Sequence, residues 1–67
     1  MRRPDPFPGV GRAELAARID DARLDEVDDM IARMSLLKPM DFADIAAEVH
    51  YSRSTVSRRY HRLIKLI

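Results

Sequence analysis

The spacing of apolar side chains in the last third of the chain constrains the fold more than any other feature. Val56, Tyr60, Leu63 and Ile67 recur at intervals of four, three and four residues. An α-helix gathers such positions on one side, whereas a strand scatters them over both. At about 100° per residue, the opposite side of that helix carries Ser54, Arg58, His61 and Lys65, flanked by Ser57 and Arg62. Ser52 precedes the pattern and suits an N-cap, so a helix is expected from Arg53 toward the end.

Helical spacing continues upstream. Phe42, Ile45, Ala46 and Val49 give the inner face of a short helix from Phe42 to about Val49, with Asp41 as its expected N-cap. Pro39 disfavours helical geometry at Lys38, which ends the preceding element. Leu24, Val27, Ile31 and Met34 mark a longer helix near 22–37, and Leu15 and Ile19 a shorter one near 12–19. The two stripes change phase across Asp20-Asp21, either of which could cap the second helix; one bent helix is the alternative. Residues 1–11 hold Pro4, Pro6, Pro8, Gly9 and Gly11, which oppose a helix. They read as a flexible basic arm ahead of a helical domain over 12–67. The expected fold class is therefore all-α, a small domain of four helices.

Size limits what such a domain can do. At 67 residues without a cysteine, the chain has a small core and no disulfide or thiolate metal site to reinforce it. Oligomerisation is a common remedy. Charged residues at 34% argue against a membrane span. Pro4-Asp5-Pro6 stands where a secretory signal needs an apolar stretch, so a cytoplasmic protein is expected. The formal net charge of +1 conceals an uneven distribution: +2 over residues 1–19, −6 over 20–48 and +5 over 49–67. Such asymmetry points to two surfaces with different tasks.

The segment from Phe42 to Tyr60, with Ala46 where two helices must cross closely and Val56 ten residues later, resembles the helix-turn-helix of DNA-binding transcription regulators. The run Ser52-Arg53-Ser54-Thr55-Val56-Ser57-Arg58 looks like the start of a recognition helix in small bacterial and phage regulators. The resemblance extends over about residues 40–65, with the motif at about 41–66. It departs from the family at His50, where glycine is usual in the turn, and at Arg59, where an apolar residue is usual. Histidine tolerates positive φ better than most bulky residues. The aliphatic stem of Arg59 could cover the core while its guanidinium pairs with an acid of the 20–48 segment. Both departures are tolerated in sigma-region-like variants of the motif, and the segment also looks like the DNA-binding region of some phage late-gene regulators and antiterminators.

The resemblance implies sequence-specific binding to double-stranded DNA, with a recognition helix over about 53–66 in the major groove. Arg53, Ser54, Ser57 and Arg58 are best placed for base edges. Thr55, His61, Arg62 and Lys65 are expected at phosphates. Arg2 and Arg3 of the arm could follow the backbone or a minor groove, or simply be solvated. A homodimer would place two such helices about one DNA turn apart. The acids Asp25, Asp28 and Asp29 could form a protein-partner surface, and the alternative function is a factor that acts mainly through RNA polymerase contacts. The bland readings are a solvated amphipathic face and, for the apolar end of the last helix, a membrane surface. No catalytic role is expected. His50 and His61 lack metal-ligand spacing, Asp25, Asp28 and Asp29 lack the rest of a calcium loop, and no phosphate-binding glycine loop is present. No cofactor is expected either.

Overall fold

In the computed structural model, which describes residues 3–67, four helices follow one another: α1 (Arg12–Ala22), α2 (Glu26–Leu36), α3 (Phe42–Val49) and α4 (Arg53–Leu66). The described residues contain no strand. α2 packs against α1, α3 and α4, and α3 also packs against α4. The apolar stripes meet in one core of Ile19, Ile31, Ala32, Ile45, Ala46, Val56 and Leu63, all buried. Leu15 and Tyr60 are buried as well. None of the described helices is long and apolar enough to cross a membrane.

The break between the first two helices lies later than the stripes suggest. α1 runs through Asp20-Asp21 to Ala22 and stops at Arg23, which takes a left-handed conformation with φ 51°. Asp25, rather than Asp20 or Asp21, caps α2: its Oδ1 accepts from the Asp28 backbone N–H at 2.9 Å. Leu24 lies in the connection yet still packs on the core. Its burial needs only the right direction from the backbone, not helical geometry.

Beyond α2, the Met40 N–H reaches the Met34 carbonyl at 2.8 Å and turns the chain into α3. Asp41 occupies the N-cap position, but its carboxylate makes no capping hydrogen bond. α3 ends at His50, in the left-handed region with φ 62°, a conformation that histidine tolerates better than most bulky residues. The connection to α4 is three residues long, His50-Tyr51-Ser52, with the Tyr51 N–H donating to the Ala46 carbonyl at 3.1 Å. Ser52 caps α4, its Oγ accepting from the Thr55 N–H at 3.2 Å.

Residues 3–11 form no helix before Gly11, yet Arg3 is docked on the body. Its Nη2 donates to the Ser35 carbonyl at 3.0 Å. Its guanidinium lies over the rings of Phe42 and Tyr60, 4.4 and 5.2 Å from their centroids. Arg12 donates to the Leu37 carbonyl. Two arginines thus satisfy carbonyls at the end of α2, where the helix dipole favours cations.

Candidate nucleic-acid interface

α4 has two sides of opposite chemistry. Val56, Tyr60 and Leu63 face the core. Arg53, Ser54, Arg58, His61, Arg62 and Lys65 are exposed, and Thr55 and Ser57 are half-buried. From Arg53 to Lys65 the helix rises about 18 Å. The eight residues expected to contact DNA therefore share one element, but they differ in what their polar atoms already do.

Three of them are uncommitted. Arg53, Arg58 and Lys65 make no ion pair and no side-chain hydrogen bond among the described residues. Two hydroxyls belong partly to the cap. Ser52 Oγ donates to Thr55 Oγ1 at 2.8 Å and lies 3.3 Å from Ser54 Oγ. Because the single proton of Ser52 goes to Thr55, Ser54 is the donor in the second contact. Ser57 contributes its carbonyl, which lies 2.8 Å from His61 Nδ1.

Arg62 is shared with the interior. Its Nη2 donates to Asp28 Oδ2 at 3.0 Å, while Arg59 Nη1 donates to Asp28 Oδ1 at 2.9 Å. Asp28 is 5% exposed, so this carboxylate of α2 is the anchor for two arginines of α4. The bond to Asp28 raises the Arg59 pKa above its ordinary value, against a smaller opposing effect of burial. The Arg59 guanidinium also lies 5.2 Å from the centroid of the Tyr51 ring. Arg59 thus finds a partner in the acidic segment, as its place in the sequence suggested.

Among the three acids considered as a partner surface, only Asp25 is exposed, and its carboxylate caps α2. Asp28 is turned inward. Asp29 accepts from Arg33 Nε at 2.8 Å, and the same guanidinium pairs with Asp20 of α1. These bonds raise the Arg33 pKa, that from Asp29 first.

No protein-family model, curated protein or solved structure matches the chain.

Of the two arm arginines, Arg2 lies outside the described residues, and Arg3 uses its guanidinium on Ser35, Phe42 and Tyr60. Pro4 and Pro6 follow it beside Phe42, His61 and Ile64, so the arm borders the outer face of α4. Neither this docking nor the part played by Tyr51 carries a local signal. The docking depends on residues far apart in the chain, and the Tyr51 contact spans the turn to Arg59.

Proposed function

We propose that α3 and α4 act as a helix-turn-helix, and that the protein is a DNA-binding transcription regulator with α4 as its recognition helix. The observation that carries this reading is the outer face of α4. It presents Arg53 and Arg58 near its N-terminal end and Lys65 near its C-terminal end, all exposed and without an intramolecular partner among the described residues. A folded domain gains little from such a face, whereas the major groove accepts one helix and offers paired acceptors on guanine to an arginine.

The cap supports the same reading. It fixes the start of α4, from which the base-reading side chains project. The three-residue turn with its left-handed His50 sets α4 against α3 through Ala46 and Val56, both buried. A homodimer in the bacterial cytoplasm completes the proposal. One small module offers limited area for specific binding, and Leu66, 60% exposed at the end of α4, provides apolar surface for a second copy.

Selection of bound fragments from random DNA tests the proposal. The expected product is a short site repeated as a palindrome, with Arg53→Ala and Arg58→Ala each relaxing it at a different position. Equal binding of all DNA by the wild type and both variants would overturn the reading.

A further inference from the structure

The outer face of α4 carries donor-only cations and short hydroxyls, and one exposed ring that differs from both. His61 Nδ1 lies 2.8 Å from the Ser57 carbonyl oxygen. A carbonyl oxygen can only accept, so the proton of this contact sits on Nδ1. In the neutral ring Nε2 is then left with a lone pair. His61 is exposed. The contact with Ser57, one turn back on the same helix, limits rotation of the ring, and Tyr60 meets it edge to face with centroids 5.4 Å apart. Its charged surroundings are Arg58, Arg62 and Lys65 on α4 and Arg3 across the cleft formed with the arm.

A bare lone pair is poorly matched to a phosphate, whose oxygens are themselves acceptors. It is well matched to an amino group. In the major groove such donors belong to adenine, through N6, and to cytosine, through N4. Arginine and lysine cannot read either group, because they carry donors only. We propose that His61 presents Nε2 as an acceptor to the exocyclic amino group of an adenine or cytosine, and so specifies a base rather than gripping a phosphate. This rests on the DNA-binding reading of α4 and changes the role that position alone suggests for His61. His61 and Ser57 then act as a unit, with the helix's own carbonyl setting which nitrogen is bare.

Two measurements test it. Nitrogen-15 NMR of the free protein at pH 8 is expected to show a protonated Nδ1 and a bare Nε2 for His61; a bare Nδ1 would overturn the inference. Selection from random DNA is then compared for wild type, His61→Ala and His61→Gln, with a salt titration of each. Wild type is expected to prefer adenine or cytosine at one position. His61→Ala is expected to flatten that preference by about five- to tenfold with the salt slope unchanged. His61→Gln, which keeps an acceptor, is expected to retain part of it. If His61→Ala leaves every base preference intact and lowers the slope by about 0.9, His61 is a phosphate contact and the inference fails alone. If the wild type selects no sequence, the DNA reading fails and takes the inference with it.

Discussion

Asp28 of α2 holds Arg59 and Arg62 of α4 with one carboxylate, the first through Oδ1 at 2.9 Å and the second through Oδ2 at 3.0 Å. Asp28 lies 31 and 34 positions before the two arginines, so the pair of bonds fixes how α4 lies on α2. Asp28 is buried while the arginines keep part of their surface in water. The energetic weight therefore falls on the acid, whose removal leaves the arginines able to hydrate.

Asp28→Ala is expected to lose about 2 kcal/mol of stability, the range for hydrogen bonds to charged groups. In a domain this small that lowers Tm by roughly 10 °C. Asp28→Asn, which keeps one acceptor and loses the charge, is expected to fall between. Thermal unfolding followed by circular dichroism checks both. A Tm equal to wild type in Asp28→Ala would mean that the two bonds contribute nothing net.

Arg3 gives the arm a structural role. It joins the end of α2 to rings on α3 and α4. Arg3→Ala is expected to cost about 1 kcal/mol from the lost hydrogen bond and ring contacts. Arg3→Lys is expected to recover only part of that, since an ammonium lacks the planar fork. Urea unfolding measures the difference, and faster proteolysis near residues 4–10 in Arg3→Ala would show the arm released.

Two connections carry backbone strain. Arg23 and His50 have φ of 51° and 62°, where a Cβ is costly and glycine is not. Arg23→Gly and His50→Gly are each expected to stabilise by about 0.5–1 kcal/mol, the relief exceeding the added entropy of the unfolded chain. Ser52→Ala runs the other way and is expected to cost about 1 kcal/mol through loss of the α4 cap. Chemical denaturation of the three variants decides the signs.

What the sequence discloses and what it hides divide by range. The stripes of α2, α3 and α4 depend on neighbours three and four positions apart, and Ile31, Ile45, Val56 and Leu63 are buried as their spacing requires. The Ser52 cap is local and equally legible, whereas the left-handed His50 is suggested only by the resemblance of the turn. The end of α1 is not legible because Asp20, Asp21 and Asp25 offer the same capping chemistry; packing chooses among them. Arg59 was legible as an odd residue on an apolar border, but Asp28 could not be singled out among nine acids of one segment. The seat of Arg3 on Ser35, Phe42 and Tyr60 is set by the path of the whole chain. So is the diversion of Arg62 to Asp28, which no periodicity marks.

That diversion separates the basic residues of α4 by experiment. Arg53 and Arg58 have no partner among the described residues, so under the proposed function each arginine-to-alanine change is expected to lose about 1–3 kcal/mol of discrimination at one base pair and leave Tm unchanged. Lys65→Ala is expected to weaken binding to all sequences alike and to lower the salt slope by about 0.9. Arg62→Ala should differ from both, because its guanidinium is already bonded to Asp28. It is expected to lower Tm as well as affinity, and to have little further effect on Tm in an Asp28→Ala background, since residues of one network do not add. Binding titrations across a salt series, paired with unfolding curves for the single and double variants, test this order. If Arg62→Ala behaves as Lys65→Ala does, with full additivity to Asp28→Ala, then Arg62 belongs to the DNA face and not to the clamp.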